Sequence, residues 1–138
     1  ESAVSRNPKN RVGRKSTLID FSGNAQKAIS RFKVLSTASF HGQPITSIQF
    51  DILTGRTHQI RLHAKMIGCP ILGDRDYGTK PSRRISEELA ITRHMLHAQK
   101  ISFVSPASHK PVTAFAPIPN DINTVSKNLN INLPKNYV

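Results

Sequence analysis

The sequence predicts an α+β fold built on a largely antiparallel, mixed sheet with flanking helices. Three observations predict it. Ile45 to Leu53 alternates, with Ile45, Ser47, Gln49, Asp51 and Leu53 on one face and Thr46, Ile48, Phe50 and Ile52 on the other, which is the period of a half-buried strand. A second alternation from Ala28 to Val34 gives another strand, and Val34 and Ile45 bracket a hairpin. No repeating strand–helix unit follows, which argues against a doubly wound parallel sheet.

The elements follow in order. Residues 1–16 are polar and basic, with Arg6, Lys9, Arg11, Arg14 and Lys15 among Ser, Asn, Pro and Gly, and read as an extended, loop-like segment. Ser36 to Gln43 reads as a turn with His41-Gly42 at its tip, and Thr54-Gly55 ends the second strand. Thr57 is the expected N-cap of a helix over residues 58–67, closed by Gly68 and by Pro70 beyond it. On that helix Ile60, Ala64 and Ile67 form one face, and His58, Arg61 and Lys65 form the other. Residues 74–85 read as a loop and 85–92 as a short helix. Met95 to Phe103 is apolar enough for a buried strand, His109-Lys110-Pro111 marks a turn, and Val112 to Ala116 a further strand. Residues 117–138 are read as a terminal helix and tail.

The chain has 138 residues, enough for one domain with a core, and 37% of them are hydrophobic. Twenty Lys and Arg stand against eight Asp and Glu, a net charge of +12. The charge is uneven: residues 1–33 carry eight basic and two acidic side chains, residues 56–100 nine and four, and residues 34–55 only Asp51. A folded domain this basic points to nucleic acid, because neutralising phosphates releases counterions.

Other chemistries find little support. Cys69 is the single cysteine, so an intrachain disulfide is excluded, and its place between Gly68 and Pro70 suggests a small buried hydrophobe. No apolar stretch is long enough to span a bilayer. The six histidines lack cysteine companions, and His58 and His63 are five apart, so no metal site is expected. His97, in an apolar stretch, reads as a hydrogen-bonded core histidine. There is no phosphate-cradling glycine loop and no nucleophile elbow.

What remains is the run Gly55-Arg56-Thr57-His58-Gln59-Ile60-Arg61, with donors and positive charge directly after a strand. It continues through Leu62-His63, Gly68, Pro70-Ile71-Leu72-Gly73-Asp74 and Tyr77-Gly78, then Leu96-His97-Ala98 and Ala116-Pro117-Ile118-Pro119. This string resembles the signature of the RluA family of RNA pseudouridine synthases. The stretch from Val4-Ser5-Arg6 through Pro8 and Arg11 to Ala28 and Phe32 resembles the subgroup acting on large-subunit ribosomal RNA.

The resemblance implies the fold of that family's catalytic domain and an enzyme that isomerises uridine to pseudouridine in RNA without a cofactor. Such enzymes flip the target nucleotide into a narrow pocket, where an aspartate acts on it. The resemblance assigns Arg61 as the ion-pair partner that keeps this aspartate charged. Leu96 and Ile60 are the expected apolar surface against the uracil, Leu96 above all. Arg56, His58, Gln59, Lys65 and Arg75 are the expected RNA-binding set, through phosphate or helix-positioning contacts. The implied partner is RNA, ribosomal rather than transfer RNA, acted on in the cytoplasm by a monomer with no membrane attachment.

One departure matters. The family's aspartate lies in a His-Arg-Leu-Asp run followed by Thr-Ser-Gly, and the chain has no such run. Asp20, in Leu18-Ile19-Asp20-Phe21-Ser22-Gly23, has the wrong spacing and position. Asp51 and Asp74 do not match the family position, and Tyr77 does not match its base-stacking tyrosine. Residues 1–138 are therefore expected to form the C-terminal portion of the catalytic domain, inactive alone and with some of its sheet core bare. The alternative is a non-catalytic basic RNA-binding module. A basic structural or assembly protein ranks last, because it leaves the ordered landmarks unexplained.

Overall fold

A computed structural model describes residues 12–19 and 26–134. Their order is β1 (Val12–Ile19), β2 (Gln26–Phe40), β3 (Gln43–Ile52), α1 (Gln59–Met66), α2 (Lys80–Glu88), β4 (Lys100–Val104), β5 (Pro111–Phe115) and α3 (Asn120–Asn128). The strands form a three-stranded sheet, β1-β2-β3, and a two-stranded sheet, β4-β5. Every described pairing is antiparallel, so the expected α+β class holds with hairpins as its unit.

The β2–β3 hairpin is longer than its hydropathy suggests. Residues 36–40, expected in the turn, continue β2 and pair with Gln43 to Ser47. His41 and Gly42 alone make the connection, both with positive φ (49° and 76°). That left-handed pair matches the right-handed twist of a two-residue hairpin turn. Pairing shifts between Val34 and Ser36, where a bulge bends the ribbon. Farther along, Phe32 faces Phe50 with ring centroids 6.1 Å apart.

Of the segment expected to be loop-like, residues 12–16 belong to β1, paired along β2 from Val12↔Lys33 to Ile19↔Gln26. Residues 1–11 of that segment, Asp20, and the last four residues of the tail lie outside the described residues.

The second helix begins earlier than expected. Thr79 caps α2 through a reciprocal pair: its backbone N–H donates to Ser82 Oγ at 2.8 Å, and its Oγ1 accepts from Ser82 N at 3.4 Å. The helix therefore covers part of the expected loop and stops at Glu88. Gly68 closes α1 as expected, with φ 76°, the Gly68 N–H donating to Lys65 O and the Cys69 N–H to Ala64 O. That reversal leaves Cys69 exposed, contrary to the buried position expected for it.

Among the described residues the buried apolar core is small: Ala28, Ala64, Ile85, Ile118 and Leu129. Met95 to Phe103 is not one buried strand. Only Lys100–Val104 pairs, with residues 111–115, and every residue of both strands is exposed. Among the described residues no helix is long and apolar enough to cross a membrane.

Candidate active site

The site forms where the β3 end of the hairpin turns into α1. Thr57 does not cap this helix. The cap position is His58, left-handed at φ 53° and without a side-chain cap. Gln59 does the work instead. Its Oε1 accepts from Arg56 N at 3.1 Å and from Thr54 Oγ1 at 2.8 Å, which ties the Thr54–Arg56 turn. Its Nε2 donates to Ile29 O at 3.0 Å and to Ser30 Oγ at 2.9 Å, which ties α1 to β2. Thr54 Oγ1 in turn accepts from Ile29 N at 2.9 Å. Gln59 is 4% exposed and all of its hydrogen-bonding capacity is used inside the protein. Of the phosphate or helix-positioning roles expected for it, this geometry is the helix-positioning one: Gln59 is a buried brace between α1 and β2.

The buried face of α1 is Gln59, His63 and Ala64, rather than the Ile60–Ala64–Ile67 stripe. His63 Nδ1 lies 3.0 Å from Ser30 Oγ, and its buried Nε2 has no hydrogen-bond partner among the described residues. Burial lowers its pKa from the ordinary imidazole value. This rotation of the helix frees Ile60 to line a cavity.

Arg61 reaches from the same helix to the turn after Gly73. Its Nε donates to Asp74 Oδ2 at 2.7 Å and its Nη2 to Asp74 Oδ1 at 2.6 Å, a two-point pair, while Nη2 also donates to Asp76 Oδ2 at 2.6 Å. The guanidinium carbon lies 4.8 Å from the centre of the Tyr77 ring. Asp74 Oδ1 accepts two further bonds, from the N–H groups of Asp76 and Tyr77. Arg61, helped by these amides, holds the Asp74 carboxyl down at about 2, and the two carboxylates push the Arg61 pKa up. Asp74 and Asp76 are site residues that sequence reasoning missed. The available signal was a turn bearing two carboxylates soon after an arginine-bearing helix.

Leu96 arrives on the segment that crosses this turn. Met95 N–H donates to Leu72 O at 2.8 Å. Gly73 has φ +75°, and a Cβ there would sit 2.0 Å from the Arg93 carbonyl oxygen, so only glycine permits the crossing. Arg93 then fixes the segment, donating to the carbonyls of His94 and Leu96 at 3.2 Å and pairing with Asp121 in the first turn of α3. His97, half-buried, has Nε2 3.4 Å from Ala116 O.

The result is an open cavity of about 250 Å³ lined by Ile52, Gly55, Arg56, His58, Gln59, Ile60, Arg61 and Leu96. All three residues expected at the reacting centre, Arg61, Ile60 and Leu96, share it. Of the expected RNA contacts, Arg56 and His58 stand on its rim, and Lys65 and Arg75 are exposed outside it. His58 Nδ1 lies 3.1 Å from the Tyr77 hydroxyl, and Lys65 Nζ 5.6 Å from the centre of that ring. Among the described residues no group of three His, Cys, Asp or Glu is placed to hold a metal ion.

The chain is similar to an RNA pseudouridine synthase of Mycoplasma genitalium, itself uncharacterised, at 37% identity over 79% of this chain and 32% of that protein. The ribosomal large subunit pseudouridine synthase D of Zymomonas mobilis is 32% identical over 87% of this chain and 37% of the relative. The corresponding synthase C of Vibrio cholerae is 34% identical over 74% and 31%. This chain belongs to the RluA-type RNA pseudouridine synthase family. It spans about a third of the length of these curated relatives. No protein-family model matches it. The fold agrees with solved pseudouridine synthase domains. Human RNA pseudouridylate synthase domain containing 4 superposes with a TM-score of 0.67 at 20% identity, over 91% of this chain and 59% of that one. Human RNA pseudouridylate synthase domain containing 1 gives 0.65 at 23%, over 86% and 54%.

Proposed function

We propose that this pseudouridine synthase chain supplies one wall of an active site that isomerises uridine in large-subunit ribosomal RNA. The observation that carries the reading is the meeting of Arg61, Ile60 and Leu96 in one open cavity at the start of α1. A flipped uracil needs an apolar surface against its ring, and Leu96 with Ile60 supplies one. The reaction also needs a carboxylate, and Arg61 is a guanidinium already oriented by Asp74 and fixed over Tyr77. In the proposed reaction the N1–C1′ bond breaks and a C5–C1′ bond forms, the C5 proton passes to solvent, and N1 takes up a proton, so the product is an isomer. Arg56, His58, Lys65 and Arg75 form the exposed basic rim for RNA phosphates. A cytoplasmic setting goes with this proposal.

The second reading, a basic RNA-binding module without catalysis, draws on one observation. The carboxylates that Arg61 meets among the described residues are Asp74 and Asp76, and neither lies in a His-Arg-Leu-Asp run.

The test uses ribosomal RNA labelled with tritium at uracil C5. The 138 residues alone are expected to bind this RNA with an affinity that falls steeply with salt, and to release no tritium above background. Tritium release by the chain alone would sink the claim that it lacks the acid. Binding that ignores salt would sink the RNA surface.

A further inference from the structure

α2 carries its charges in the reverse of the order a helix favours. Lys80 and Arg83 lie in its first half and Glu87 and Glu88 close it, with no acidic residue in the first turn and no basic residue in the last. The helix macrodipole favours the opposite arrangement, and an anion over the basic half offsets the cost. The backbone is not the receptor: Ser82 N–H donates to the Thr79 cap, and Pro81 has no N–H. The side chains are what an anion would meet.

These side chains join the cavity rim through the turn that carries Tyr77. Arg83 Nη2 donates to Arg75 O at 3.0 Å, which sets the two arginines side by side. Beyond them Lys65 Nζ lies 5.6 Å from the centre of the Tyr77 ring, whose other neighbours are the cavity residues Arg61 and His58. Lys80 and Arg83 are i, i+3 neighbours, with β-carbons about 5–6 Å apart, close to the separation of successive phosphates on one strand. Lys65, Arg75, Lys80 and Arg83 are all exposed, and among the described residues none of them has an ion-pair partner. Asp74 and Asp76 are engaged with Arg61, Glu88 with Arg84 and His41, and Glu87 pairs with none of the four. Cations gathered in this way repel one another, and a polyanion relieves the repulsion.

We infer that Lys65, Arg75, Arg83 and Lys80 form a continuous track for one RNA strand, running from the cavity rim onto α2, and that α2 grips the backbone beside the flipped uridine. Each cation neutralises a phosphate, so the grip is independent of base sequence. That RNA is the polyanion rests on the proposed function. The grip of α2, through Lys80 and Arg83, lies beyond the rim described there.

The test measures the affinity of the chain for a single-stranded piece of large-subunit ribosomal RNA between about 50 and 200 mM salt. Each phosphate contact on a single strand adds about 0.7 to the slope of log affinity against log salt. Lys80→Gln combined with Arg83→Gln is expected to lower that slope by about 1.4, so its deficit against the unchanged chain is about sevenfold larger at the low-salt end than at the high. Lys110→Gln combined with Lys127→Gln removes two exposed charges from other elements and is expected to leave the slope unchanged. Arg83→Lys keeps the charge and is expected to keep the slope. Equal slope changes in the two double variants, or a slope lost equally in Arg83→Lys and Arg83→Gln, would overturn the track. Poly-glutamate bound as tightly as RNA of equal length would reassign the surface to an acidic protein and overturn it too. A chain that binds no RNA at any salt would overturn the functional reading itself, and the track with it.

Discussion

Two arginine–aspartate pairs of nearly the same geometry sit in different surroundings. Arg61 donates to Asp74 through Nε and Nη2 at 2.7 and 2.6 Å, and Arg93 donates to Asp121 through Nε and Nη2 at 2.6 and 2.8 Å. The side chains of the first pair are 11% and 0% exposed, those of the second 40% and 44%. Distances alone would rank the pairs as equals. Burial separates them, because the first carboxylate has lost its water and depends on its protein partners, whereas the second keeps water as an alternative. The site of this protein is built around the pair that cannot be exchanged.

The comparison breaks most sharply at Asp74. Asp74→Ala leaves the Arg61 guanidinium facing an emptied buried site and is expected to destabilise the chain by about 3 to 5 kcal/mol. With a core of five small or medium apolar residues among the described ones, much of the fold would be lost with it. The urea unfolding midpoint measures the effect. A shift no larger than that of Asp121→Ala would show that water reaches Arg61 and that the pairs are alike.

Acid sharpens the same contrast. The Asp74 pKa is held at about 2 in the folded chain against an ordinary 3.8. A depressed carboxylate pKa gives stability that is full above the ordinary value and lost as pH falls through the folded one. About 2 kcal/mol should therefore disappear between pH 4 and 2, and an Asp74→Asn background should flatten that part of the curve. His63 acts in a higher window. Burial lowers its pKa, so its share is present above the ordinary value of 6.5 and declines as pH falls below it.

The smallest effect belongs to the exposed pair. Asp121→Ala is expected to move the urea midpoint far less than Asp74→Ala, because Arg93 keeps its bonds to the His94 and Leu96 carbonyls.

What the sequence made legible follows from which forces leave a hydropathy trace. The strand over residues 45–53 and the tip at His41-Gly42 were readable, because one alternates and the other is built for left-handed backbone. Residues 36–40 were not, since Thr37 and Thr46 meet across the ribbon through hydroxyls 3.1 Å apart rather than by apolar burial. The clustering of Arg61, Ile60 and Leu96 followed from the motif string. Which of its two expected roles Gln59 takes is not legible, because a buried amide and a solvent-facing one look the same in a sequence. Asp74 was passed over because its partner lies on another element. The β4–β5 hairpin shows the converse: Ile101 and Phe103 read as part of a buried strand, yet stand 60% and 47% exposed. An apolar residue records a need for cover and does not say what provides it.

The His41-Gly42 turn has a consequence in time as well as in shape. It joins strands whose partners run from Phe40↔Gln43 out to Ser30↔Ile52, so each pairing closes a loop only slightly larger than the last. Such local zippering proceeds in about 1–10 μs, before contacts between distant segments have formed. Its final step brings Ile29 and Ser30 beside Thr54, where Gln59 can bind them. The ribbon thus works as a folding clock. It starts at an exposed two-residue tip and ends by delivering the seat on which α1, and with it Arg61, is set.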